Sequence, residues 1–111
     1  MIQIELNHRK YDLNKNGYLV NEDDWNEELA SHIAKLESIT MSNAHWQVIY
    51  FIRSHYKKYR IAPMIRMVIV ACVETYGIET ANRKYLQELF PGGLAQQACR
   101  IAGLPQSTGC V

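Results

Sequence analysis

The first twenty residues alternate with the period of strands. Ile2, Ile4 and Leu6 fall on one face, Asn7-His8-Arg9-Lys10 predicts a polar turn, and the chain returns through Tyr11 and Leu13. Asn14-Lys15-Asn16-Gly17 predicts a second turn, because Asn-Gly accepts positive φ. Tyr18-Leu19-Val20 either extends this small sheet or leads into the first helix. The period then becomes helical. Asn21 is placed as an N-cap with Glu22, Asp23 and Asp24 against the positive end of a helix dipole, and Trp25, Leu29, Ile33 and Leu36 form one apolar stripe. Ser42 is the next cap. The helix after it, from about residue 43 to 59, is apolar on more than one side through Trp46, Val48, Ile49, Tyr50, Phe51 and Ile52, which predicts the central helix of a bundle. Pro63 suits a first helical position, so the apolar run from Met64 to Val73, ending near Gly77, predicts a buried helix in preference to a buried strand. A shorter helix carries Tyr85, Leu86 and Leu89 and stops before Phe90-Pro91-Gly92-Gly93. The last helix runs from about Leu94 to Ala102, with Gly103 as its stop. The predicted fold is mainly α (α+β). It is a single domain: a β-hairpin region over residues 1–20, an orthogonal bundle of about five helices over 21–103, and a mobile C-terminal arm over 104–111.

Composition adds limits more than content. A chain of 111 residues, 48% hydrophobic and 21% charged, is long enough to bury one core and has the balance of an ordinary globular domain. A formal net charge of +1 gives no strong case for nucleic acid, membrane or an acidic partner. No apolar run reaches the 18 or more residues of a spanning helix, and the N-terminus lacks a signal-peptide pattern, so the expectation is a cytoplasmic protein with no direct membrane insertion.

The candidate chemistry is sulfur chemistry. Cys110 stands one residue from the end and Cys99 eleven positions earlier. A terminus contributes little packing, so a thiol there points to reactivity. Gly103, Pro105 and Gly109 break regular structure around it. An extended arm would carry the sulfur on the order of 35 Å from Cys99, and the same arm can fold back to the roughly 5.5 Å Cα separation that a disulfide needs. Reach and return are what a sulfur or redox carrier requires. Cys99, at the edge of the last helix's apolar face, suits packing or chemistry equally until its pairing with a thiol on the arm is considered. Cys72, within an apolar run, reads as a core thiol. Three cysteines without CxxC or Cys/His spacing do not suggest zinc, and no cofactor is expected.

A cation near Cys110 would raise its thiolate fraction, and Arg66, Lys84 and Arg100 are the candidates. The stretch Arg53-Ser54-His55-Tyr56-Lys57-Lys58-Tyr59-Arg60 reads as a solvated helix end whose cations suit the dipole. Its sharper alternative is nucleic-acid contact, as part of a helix-turn-helix regulator turning at Ile61-Ala62-Pro63, although the following helix is too apolar to read bases. His8, His32, His45 and His55 lack i,i+4 pairing and read as surface or packing residues. Phosphate loops, a nucleophile elbow and paired catalytic carboxylates are missing from the sequence.

Several blocks together resemble the DsrC/TusE family of sulfur-carrier proteins. They are His45-Trp46-Gln47-Val48-Ile49-Tyr50-Phe51-Ile52-Arg53, Tyr59-Arg60-Ile61-Ala62-Pro63-Met64-Ile65-Arg66, Asn82-Arg83-Lys84-Tyr85-Leu86-Gln87-Glu88-Leu89-Phe90-Pro91 and Gln97-Ala98-Cys99-Arg100-Ile101-Ala102-Gly103-Leu104-Pro105. Asn16-Gly17-Tyr18-Leu19 and Trp25 agree as well, so the resemblance covers essentially the whole chain. It implies that Cys110 receives and donates sulfur as a persulfide. It further implies the two-cysteine DsrC type, in which Cys99 is the resolving thiol and a trisulfide can bridge the pair. The protein is then a co-substrate, more than an autonomous enzyme, of the alpha and beta subunits of dissimilatory sulfite reductase, whose gamma subunit DsrC was once called. DsrEFH- or TusBCD-type sulfur donors and a membrane-bound disulfide reductase complex are the other implied partners. The TusE branch, which relays sulfur towards 2-thiouridine in tRNA and usually has only the penultimate cysteine, is the alternative. Arg66 and Lys84 fall at positions that are basic in the family. Gln96 and Gln106, by contrast, stand where it commonly has lysine, which removes positive charge near the thiols.

Overall fold

In a computed structural model, residues 2–61, 63–75, 77 and 82–104 are described. Two antiparallel strands, β1 (Ile2–Leu6) and β2 (Arg9–Leu13), pair in the register Ile4↔Tyr11 and Leu6↔Arg9. Their turn is tighter than the sequence suggests. Asn7 and His8 both take positive φ (52° and 66°), giving a two-residue connection that matches strand twist and leaves Arg9 and Lys10 inside β2. Asn14 builds the second turn: its side-chain oxygen accepts from the amides of Asn16 (2.9 Å) and Tyr18 (3.1 Å). The chain then touches the sheet again through a single Leu13↔Leu19 bridge.

Asn21 caps only a short 3-10 turn, Glu22–Asp24. The first α-helix, α1 (Glu27–Leu36), starts at a different cap, Asn26, whose side chain accepts from Leu29 N–H at 2.7 Å. Two asparagines five residues apart offered the same signal, and the acidic run beside Asn21 favoured the wrong one. Trp25 therefore lies between the two turns, outside the helical stripe, and Leu36 is exposed at the helix end. α2 (Asn43–Tyr59) follows its predicted limits and buries His45, Val48, Ile49 and Ile52. Ser42 N–H donates to His45 Nδ1 (3.1 Å), so Nε2 is the donor to Leu89 O (2.8 Å) and the imidazole is a packing residue that joins two helix ends.

α3 (Ile65–Glu74) differs from the expected buried helix. Val68, Ala71 and Cys72 face the core, whereas Met64, Met67, Val70 and Val73 along its flank are exposed. An unbroken apolar run has no polar face to mark which side is wet. α4 (Arg83–Leu89) is capped by Asn82, whose side chain accepts from Tyr85 N–H at 2.9 Å. The last segment opens as a π-helical turn, Leu94–Ala98, and closes as a short α turn, α5 (Cys99–Ile101), packed against both α1 and α2. Phe90, Leu29, Ile49, Leu86 and Ile101 are among the largest wholly buried side chains. The architecture is thus five α-helices behind a two-stranded hairpin, and among the described residues no helix is long and apolar enough to cross a membrane.

Candidate functional site

Cys110 and the rest of 105–111 lie outside the described residues. What the structure defines is the root from which this stretch leaves. α5 ends in a Schellman motif: Gly103 N–H donates to Arg100 O (3.2 Å) and Leu104 N–H to Cys99 O (3.0 Å), with Gly103 at φ +71°. Leu104, predicted as the first residue of the arm, is only 3% exposed and belongs to the core. The chain past the root is therefore shorter than the sequence suggests. From Leu104 to Cys110 an extended chain spans about 20 Å.

Two residues clamp this root. The Trp25 indole N–H donates to Ile101 O at 2.8 Å, and Arg53 donates to Ala102 O at 2.6 Å, so carbonyls that a helix C-terminus leaves unpaired are satisfied from α2 and from the segment before α1. The Arg53 guanidinium carbon also lies over the Trp25 ring, 3.9 Å from its centroid, and Tyr50 meets that ring edge-on at 6.2 Å. Burial holds the Arg53 guanidinium below its ordinary pKa. The sequence reading missed this clamp: Trp25 was assigned to a helical stripe and Arg53 to a solvated end. The available signal was spacing, since Arg53 stands four residues after Ile49 and so at the edge of the buried stripe of α2.

The other side of α5 is tied to the end of α1. Glu37 accepts from Arg100 on one carboxylate oxygen (2.8 Å) and from Gln97 on the other (3.3 Å). Gln97 in turn accepts from Gly92 N–H (2.8 Å), and Arg100 reaches Asn16 O (3.1 Å) while its guanidinium covers Tyr18. Burial pushes the Tyr18 hydroxyl up and Arg100 opposes it.

Of the predicted site residues, Cys99 is 2% exposed and part of the core. Cys72 is equally enclosed, and burial raises its thiol pKa. Arg100 is engaged in holding α5 to Glu37. Arg66 and Lys84 are exposed on α3 and α4, and neither lines the hollow that Leu104 borders. The cations of that hollow are Arg53, Lys57 and Arg60, from the stretch read from sequence as a solvated helix end. In brief iodoacetamide treatment of the native, reduced protein, Cys110 is expected to label first. Cys72 and Cys99 should be at least tenfold slower, because a thiol this enclosed reacts only through local opening. Peptide mass mapping checks the order, and equal labelling of Cys99 and Cys110 would contradict the burial of Cys99.

These features define a small helical domain that anchors, on its own core, the segment leading to residues 105–111, which include Cys110. The model of the DsrC like protein family matches residues 5–111, a span that includes Cys110. The sulfurtransferase TusE homolog of Haemophilus influenzae is 44% identical over 108 residues, covering 97% of this chain and 99% of that protein. The solution structure of DsrC from Allochromatium vinosum superposes with a TM-score of 0.87 at 42% identity, covering 98% of this chain and 97% of the other. The oxidized gamma-subunit of the dissimilatory sulfite reductase (DsrC) from Archaeoglobus fulgidus gives 0.90 at 35% identity, covering 99% and 100%. The chain belongs to the DsrC/TusE family of sulfur carriers.

Proposed function

We propose that this chain is a sulfur-relay carrier of the TusE type, taking sulfur on Cys110 from a TusBCD-type donor and passing it on towards thiolation of tRNA uridine in the cytoplasm. The observation that carries the reading is a family match running through the penultimate residue, together with a curated relative named as a TusE sulfurtransferase. In the transfer the Cys110 thiolate attacks the terminal sulfur of the donor's persulfide. The donor cysteine leaves as a thiolate, the sulfane sulfur moves to Cys110, and no net oxidation occurs. A carrier of this kind needs one reactive thiol. The enclosure of Cys99 supports that economy, because a side chain packed between α1 and α2 has a structural role whatever else it does.

A second reading rests on one specific feature, the presence of Cys99 eleven positions before Cys110. In the DsrC type, Cys99 resolves the Cys110 persulfide: its thiolate displaces hydrosulfide, the two cysteines form a disulfide, and the sulfane sulfur is reduced to sulfide. Dissimilatory sulfite reductase would then be the partner. Loading the protein from a small persulfide donor and following intact mass separates the two. A Cys99→Ser protein that accepts and passes sulfur at the rate of the parent supports the one-thiol relay. A parent that converts its persulfide to a species two hydrogens lighter than the dithiol, a conversion lost in Cys99→Ser, overturns it in favour of the second.

A further inference from the structure

Among the described residues, six of the ten exposed large apolar side chains lie between Tyr59 and Val73, so the bare apolar surface is concentrated on one flank. Met64, Met67, Val70 and Val73 recur every third position and form a stripe along the outer side of α3, with Val70 near its middle. A hollow of about 350 Å³ runs beside the stripe, lined by Phe51 of α2 with Met67, Val70 and Ala71, and bordered by Arg66 and Glu74. Side chains of this size, each about half exposed, leave on the order of 500 Å² of apolar surface, the upper end of what a monomer usually keeps bare.

The charges on this flank are placed against their own helix. Arg66 stands in the first turn of α3 and Glu74 is its last residue, so the cation meets the positive end of the helix dipole and the carboxylate the negative end. Both are exposed, and neither forms an ion pair with any described residue. They stand at equal distances in sequence on either side of Val70.

We infer that this flank is a docking surface for a second copy of the chain, whose α3 packs antiparallel about a twofold axis through Val70. In that arrangement Val70 meets its own symmetry mate, Met67 lies level with Val73 of the second copy, and Arg66 lies level with the second copy's Glu74. Each charge also comes to the helix end of opposite sign: Arg66 to the C-terminal end of the second α3, Glu74 to its N-terminal end. The pattern is self-complementary, as an interface made by the same patch on both sides requires. A different protein would not need the two charges equidistant from the middle of the stripe. The methionines suit such a surface, because an unbranched thioether adapts to irregular gaps like the hollow beside Val70. Two such faces bury about 1,000 Å² together, below the size of a standard stable interface, so the association is weak and reversible.

The inference is independent of sulfur transfer, since the cysteine of α3, Cys72, faces the core. Sedimentation velocity of the full-length protein under reducing conditions, from micromolar to millimolar concentration, tests it. The sedimentation coefficient should rise with concentration towards that of a dimer. Arg66→Glu sets two carboxylates against each other and should weaken association about tenfold or more, as should Glu74→Arg with two guanidinium groups. Both reversals suit the dipole of α3 better than the native residues do, so the loss cannot be put down to a weaker helix. The double variant R66E/E74R should restore association to within about threefold of the parent, because the pair is then remade with its signs exchanged. Val70→Glu, which brings two like charges together on the axis, should leave a monomer. A protein that is monomeric throughout the range, a dimer indifferent to Arg66→Glu, or a loss that the double reversal fails to repair overturns the inference.

Discussion

Replacing Cys110 by serine is expected to abolish sulfur acceptance altogether. A hydroxyl at neutral pH is neither ionised nor able to hold a sulfane sulfur, whereas the nucleophile in this chemistry is a thiolate. The persulfide adduct at residue 110 should fall by two orders of magnitude or more, to the background seen without donor. Leu104 is the last core residue among those described, and the stability is expected to change by no more than about 0.5 kcal/mol, the range of substitutions away from packed sites. Intact-mass analysis after donor treatment reads the first effect and thermal unfolding the second. Persulfide formation that persists in Cys110→Ser would transfer the carrier role to another thiol and remove the basis of the proposed function.

Gly103→Ala should be strongly destabilising. Gly103 sits at φ +71°, and a Cβ there would lie 2.4 Å from Trp25 Cδ1 and 2.9 Å from Cγ. The left-handed backbone alone costs an alanine about 1–2 kcal/mol. Displacing the indole also weakens its hydrogen bond to Ile101 O, worth about 1 kcal/mol net, and the guanidinium stacking of Arg53 on the ring, worth about as much. The expected loss is about 3 kcal/mol, lowering the midpoint by roughly 10–15 °C in a domain of this size. Gly77 is an internal control: it too has positive φ (+69°), but a Cβ there would meet nothing within 4 Å. Gly77→Ala should therefore cost about 1–2 kcal/mol of backbone strain only. Equal losses at the two positions would show that Trp25 does not set the limit at residue 103.

The elements of this fold were legible because local signals agreed. The apolar period, Ser42 in front and the basic end behind gave approximate limits for α2 that match the helix Asn43–Tyr59. The Phe90-Pro91 stop marked the end of α4, whose start at the Asn82 cap was not read from the sequence. Reading failed where two signals had equal local strength, as with Asn21 against Asn26, or where a run had no polar face, as in α3. The Cys110 and Cys99 candidates rest on chain position and residue type alone. The clamp on residues 101–104 was not legible, because its residues meet across long separations: Trp25 bonds to Ile101, 76 positions away, and Arg53 to Ala102, 49 away. No window of sequence holds both partners of such a pair.

The residues from Ala98 to Leu104 hold Ala98, Cys99, Ile101, Ala102 and Leu104 inside the core between α1 and α2. α1 and α2 therefore share this one short segment as their filler, so a change that loosens it opens an apolar groove between two helices and displaces Leu104 at the same time.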